Sequence, residues 1–113
     1  MIVSLEDAKA HLRIDDAAED GYLTGLIAAA HDAAQQFTDR AIFETETELL
    51  DALQDSPELR HPMVATAGIK HAMLLLVGHW YANRESVVVG ASVEKVPVAH
   101  EYLLYPYRIL GDA

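Results

Sequence analysis

The stretch that most constrains this chain is Pro62 to Glu85, PMVATAGIKHAMLLLVGHWYANRE. Its opening proline suits the first turn of a helix, where the missing N–H is not needed. Met63, Val64, Ala67, Ile69, Ala72 to Val77, Trp80 and Tyr81 then place apolar or small side chains on nearly every side. A helix that is apolar all round is buried on most of its faces. Fully helical, the stretch is about 35 Å long, roughly the diameter of a small domain. It turns polar at Asn83-Arg84-Glu85, where the last carbonyls of a helix need partners.

The 113 residues hold one core and are too short for two, so residues 1–113 are read as a single domain. A hydrophobic share of 51% argues against disorder and for apolar surface that one small domain cannot hide, pointing to self-association. The chain has no cysteine, which excludes disulfides and thiolate metal sites. The N-terminus lacks the pattern of a signal peptide. The longest apolar run, Ala72 to Val77, falls far below a bilayer span, so no membrane association is expected.

Net charge is −10 and unevenly placed. Residues 1–56 carry 13 acidic and 3 basic side chains, whereas residues 57–113 carry 5 of each. No two basic residues are adjacent, which argues against a patch built to grip nucleic acid. The acidic half reads as a solvated surface.

In chain order, Ser4 caps a short helix with Leu5, Ala8 and Leu12 on one face and acids in its first turn. Asp15-Asp16 offers a second cap, and residues from about Ala17 to Phe37 have helical apolar spacing. Gly21 and Gly25 weaken that helix and, if either is buried, are read as sites for close approach of a neighbouring helix. Thr38-Asp39-Arg40 closes it. Alternation over 42–48 predicts an exposed strand or arm, and 54–61 a loop. The β-branched run 87–93 predicts a second extended segment. A last short helix starts at Pro97 and ends at Tyr105-Pro106-Tyr107-Arg108. The expected fold is mainly α: a small helical bundle around one long central helix (about 62–85), with short extended segments near 42–48 and 87–93.

The search for chemistry turns on six histidines. His71 and His79 lie near one helix face but about 12 Å apart along the axis, too far for one metal ion. His31 has no His-x-x-x-His or Glu-x-x-His partner. Paired acids at Asp15-Asp16 and Glu19-Asp20 sit where helix caps are wanted. No phosphate-cradling glycine loop or nucleophile elbow is present. The expectation is no enzyme, no cofactor, no metal and no catalytic residue. Trp80, Tyr81, Asn83, Arg84, Glu85, Pro106, Tyr107 and Arg108 instead form the candidate subunit or partner interface, because aromatics and arginine concentrate at interfaces.

Three motifs in order carry a resemblance. They are Leu5-Glu6-x-Ala8-Lys9-x-His11-Leu12-Arg13-Ile14-Asp15 with Leu26-Ile27-x-Ala29-Ala30, then Ile69-Lys70-x-Ala72-Met73-Leu74-Leu75-Leu76-Val77-x-His79-Trp80-Tyr81-x-Asn83-Arg84-Glu85. Val96-Pro97 and Leu103-Leu104-x-Pro106-Tyr107-Arg108 complete the set. Together they resemble the tailed-phage head–tail connector (adaptor) family, encoded by phages and prophages. The resemblance implies a structural virion protein, made in the bacterial cytoplasm and placed at the head–tail interface. It implies a homo-oligomeric ring of about a dozen copies docked below the portal. Its partners would be the portal protein and a tail-side completion protein, with DNA passing through the channel without sequence-specific binding. The FETETE and VVVGAS segments stand outside the resemblance. Two other classes are weighed beside it: a helical adaptor or regulatory module acting as monomer or dimer, and a small metal-dependent enzyme using His31, His71 and His79.

Overall fold

A computed structural model describes residues 1–83 and 98–110. Its elements are α1 (Leu5–Leu12), α2 (Asp20–Thr38), β1 (Ile42–Phe43), α3 (Glu46–Asp55), β2 (Met63–Val64), α4 (Ala67–Ala82) and α5 (Val98–Leu104), followed by a 3₁₀ turn at Tyr105–Tyr107. The described fold is mainly helical, as the sequence predicts. The expected extended segment at 87–93, the start at Pro97, and Arg84 and Glu85 lie outside the described residues.

The central helix is shorter than its sequence pattern. It covers 16 residues, roughly 24 Å, and starts at Ala67 rather than Pro62. Thr66 is the N-cap, its hydroxyl accepting from the Ile69 N–H at 3.2 Å. Met63 and Val64 are apolar because they form a strand, so the apolar run conceals a change of element. At the other end Asn83 is the C-cap, and its side-chain amide donates to the His79 carbonyl at 2.9 Å. Burial is also narrower than expected. Ile69, Ala72, Met73, Leu76 and Val77 are the fully buried residues, and their spacing defines one face. Leu74, Leu75, Trp80 and Tyr81 are half-buried flanks, while Ala67, His71 and Ala82 are exposed.

That buried face meets Ala8 of α1, Ile27, Ala30 and Ala34 of α2, Ile42 of β1 and Leu104 of α5 in one cluster, together with Ile2 and Val3. Small residues on α2 suit a close helix pair. Among the described glycines the one that serves close approach is Gly78, not Gly21 or Gly25. A Cβ at Gly78 would lie 3.3 Å from His11 Nε2 and 3.9 Å from Leu12 Cδ2, where the end of α1 crosses α4. Gly21 and Gly25 are exposed, and a Cβ at either meets nothing within 4 Å. Gly25→Ala is therefore expected to stabilise the monomer by about 0.5–1 kcal/mol through helix propensity alone, read as a rise in Tm.

The segment 42–48 is the largest departure from the sequence reading. Only Ile42–Phe43 is strand, and Glu46 to Asp55 is helix. Ile42 pairs with Met63 and Phe43 with Val64 in parallel. Parallel neighbours cannot be joined by a hairpin and need a crossover, usually a helix. α3 is that crossover. The alternating Thr and Glu are its start signal. Thr45 accepts from the Glu48 N–H at 3.2 Å, and Glu46 and Glu48 lie in the first turn, facing the positive helix end.

α1 begins as predicted. Ser4 Oγ accepts from the Asp7 N–H and Asp7 accepts from the Ser4 N–H, a complete capping box. The Ser4 N–H, and next Lys70 at 3.1 Å, hold the Asp7 carboxyl below its ordinary 3.8. A group depressed in the folded state adds stability above its unfolded pKa and loses it as pH falls through the folded value. Asp7→Asn is thus expected to melt below the parent at neutral pH, with the gap closing in acid below the ordinary 3.8. Melting curves at neutral and acid pH check this; a gap of constant size would show that charge has no part in it.

The other paired acids are not all caps. Asp16 accepts from the Ala18 N–H at 3.0 Å, a local turn. Glu19 precedes α2 but caps nothing with its side chain, and Asp20 instead binds Lys9 at 2.8 Å.

Candidate interaction surface

Three sets of hydrogen bonds build a corner where α5 runs out beside the end of α2. Leu104 is fully buried and anchors α5, which leaves Tyr102 on the outer side at 80% exposure and Tyr105 at 54%. Pro106 then continues the chain as a 3₁₀ turn, because it cannot donate to a further helical turn. The Ile109 N–H donates to the Thr38 carbonyl at 2.9 Å, fastening the C-terminal segment to the last residue of α2.

Tyr107 is fixed at both its ends. The Thr66 hydroxyl donates to its phenolic oxygen at 3.1 Å, and Arg40 Nε donates to its carbonyl at 2.6 Å. Arg40 Nη1 also donates to the His61 carbonyl at 3.3 Å. One guanidinium thus ties the end of α2, the approach to β2 and the C-terminal turn. Sequence reading assigned Arg40 only to helix closure, since nothing local announces a partner 67 residues away.

Outside this framework lies an aromatic surface. The Tyr105 and Phe37 ring centroids are 6.5 Å apart, and the Arg108 guanidinium lies 4.7 Å above the Phe37 ring. Exposed cation–π contacts of this kind contribute about 0.5–1 kcal/mol. A shallow depression of about 440 Å³ opens beside it, lined by Gly68, Tyr102, Leu103, Tyr105, Pro106 and Tyr107. Its walls are aromatic and apolar; no acid–base pair lines it.

The remaining sequence-nominated residues sit elsewhere. Trp80, Tyr81 and Asn83 are at the C-terminal end of α4, whereas the Tyr107 hydroxyl bonds the N-cap of the same helix. The structure therefore places the two nominated groups at opposite ends of α4 and does not bring them together. Trp80 packs partly against the core. The Tyr81 hydroxyl donates to Glu19 Oε1 at 2.7 Å, and its ring lies 6.3 Å from that of Tyr22. That contact assigns Glu19 a tertiary role in place of the expected cap.

The histidines do not converge. His31 Nε2 donates to the Ile42 carbonyl at 2.8 Å, His79 is met by Asn83, and His71 faces solvent. A depression of about 280 Å³ beside His31 includes neither His71 nor His79 in its walls. Among the described residues no group of three His, Asp or Glu side chains is placed to hold a metal ion. Among them, too, no helix is long and apolar enough to cross a membrane.

These features define a small, mainly helical protein with an exposed aromatic corner beside the end of α2. A family model for phage gp6-like head-tail connector proteins matches residues 2–108, and the chain belongs to that family. It is a family of structural connectors and not an enzyme family. No curated protein and no solved structure matches the chain.

Proposed function

We infer that this chain, as a single connector domain over 1–113, assembles into a closed ring of about a dozen copies below the portal of a tailed phage. The ring extends the DNA channel and forms the seat for the tail-side completion protein, at the head–tail interface of the virion. The observation that carries this reading is the family match across residues 2–108. Two features support it. Apolar and aromatic side chains remain exposed at Tyr102, Tyr105 and Leu110, as a subunit surface requires. The acidic side chains of the first half lie mostly at the surface, where they repel a passing polyanion.

Pro106, Tyr107 and Arg108 are assigned to one contact region. Trp80, Tyr81 and Asn83, with Arg84 and Glu85 following in sequence, are assigned to another. The test is the native mass of the purified chain, alone and with its cognate portal. A closed ring in either sample is the expected outcome, and a monomer in both would overturn the reading. DNA binding at low salt offers a second check: no gel shift is expected, and retention of duplex DNA would remove the repulsive role of the acidic surface.

A further inference from the structure

We propose that the aromatic corner of one copy docks on the outer stripe of α2 in the next, with Arg108 facing Asp32 across the subunit boundary. This assignment rests on the ring reading and specifies its two unlike surfaces.

The charge pattern selects the occupant. Lys9, Lys70 and Arg60 are paired within the chain to Asp20, Asp7 and Asp39, and Arg40 is spent on two carbonyls. Arg13, exposed and also without a carboxylate partner among the described residues, sits at the C-cap of α1, where a cation is favoured. Arg108 instead lies on the Phe37 ring, exposed and with no carboxylate partner among the described residues. A guanidinium on an aromatic platform keeps its N–H fork free at the edge. Its complement is a carboxylate, on a surface open enough to admit Tyr105 and Pro106 beside it.

Every copy of this chain carries such a surface. Gly21, Gly25, Ala28 and Asp32 follow at intervals of four, three and four, so they form one stripe of α2, and all are exposed. Nothing inside the chain requires glycine there, since a Cβ at Gly21 or Gly25 meets no atom within 4 Å. Two glycines inside a helix of 19 residues reduce its propensity with no internal return. Close approach from outside supplies one. Asp32, bonded among the described residues only to Gln36 four residues on, closes the stripe with the required charge.

Position on the helix fits a head-to-tail contact. Phe37, which carries the Arg108 platform, points about 120–180° around α2 from the four stripe residues. It also lies about 18 Å along the axis from Gly25. The two surfaces therefore face different directions on one rigid element, as a heterologous ring demands and a two-fold dimer does not.

The experiment is a charge-reversal cycle on the full chain, Arg108→Glu, Asp32→Arg and the double variant, read by sedimentation velocity across concentration. The parent is expected to form a species larger than a dimer. Each single reversal should raise the concentration needed for assembly about tenfold, and the double should return it to within about threefold of the parent. Gly25→Leu, which adds bulk at an open exposed site, should also block assembly while remaining folded by circular dichroism. The chain lacks cysteine, so Tyr105→Cys mixed with Ala28→Cys should yield a mixed disulfide dimer. An assembling parent whose association ignores the single reversals, or is not rescued in the double, overturns this surface assignment and leaves the ring intact. The aromatic corner would then face a different protein. A parent that stays monomeric at all concentrations, alone and with portal, overturns the ring reading and this assignment with it.

Discussion

Replacing Ile69 with Ala is expected to lower the stability of the monomer by about 2–5 kcal/mol. Ile69 is fully buried in the first turn of α4, within the cluster that also takes in Ile42, Met73 and Leu104. The substitution removes three carbons, worth about 0.8 kcal/mol each in transfer, and the cavity left behind adds to that sum. The neighbours are backbone-anchored on both sides, β1 by its pairing with β2 and α5 by its turn onto α2. Collapse into the void is therefore restricted, which favours the upper half of the range. For a domain whose total stability is of the order of 5–15 kcal/mol, the loss should appear as a fall in Tm on the order of 10–20 °C. Leu50→Ala supplies the control. Leu50 is 52% exposed on α3, so its truncation should stay within about 0.5 kcal/mol. Equal losses at the two sites would show that the buried face of α4 is not the core.

The contrast between α4 and α3 shows what periodicity reveals and what it hides. The fully buried positions 69, 72, 73, 76 and 77 are legible as one helical face, yet the sequence surrounds them with further apolar residues. Those flanks, Leu74, Leu75 and Trp80, made the helix read as buried on most sides, whereas they are only half-covered by this chain. Extending the helix back to Pro62 failed for a related reason. A strand residue and a buried helix residue are both apolar, and only the Thr66 cap marks the boundary between them.

In the segment after Phe43 two local signals compete. Alternating polarity argues for a strand, while Thr45-x-x-Glu48 argues for a helix start, followed by Leu49, Ala52 and Leu53 at helical spacing. The deciding fact is tertiary. β1 pairs in parallel with a strand that lies twenty residues further on, and that topology demands a crossover. Alternation alone carries no information about a strand's partner. Of the residues nominated for contact, Pro106 and Arg108 are exposed, and Tyr107, Trp80, Tyr81 and Asn83 are half-buried. Their grouping was not legible. Trp80 and Tyr107 share an apolar helix as neighbour but lie at its opposite ends, and sequence order cannot show which end α5 returns to.

Arg40→Ala is expected to cost about 1.5–3 kcal/mol, the range for hydrogen bonds to a charged group. The half-buried guanidinium donates to the Tyr107 and His61 carbonyls, so truncation leaves two acceptors without their donor. Arg40→Lys should recover only part of the loss. A lysine ammonium is a point charge and lacks the planar fork that reaches both oxygens at once. The effect should also be local. The Ile109 N–H to Thr38 carbonyl bond and the 3₁₀ turn depend on the same junction, so exchange of the Ile109 amide should quicken more than that of amides inside α4. Chemical denaturation measures the first effect and native-state hydrogen exchange the second. If Ile109 and the α4 amides quicken by the same factor, Arg40 supports the whole fold without a particular hold on the corner. If Ile109 alone responds, the guanidinium sets the position of Tyr105 and Pro106, and a half-buried polar contact governs the shape of an exposed surface.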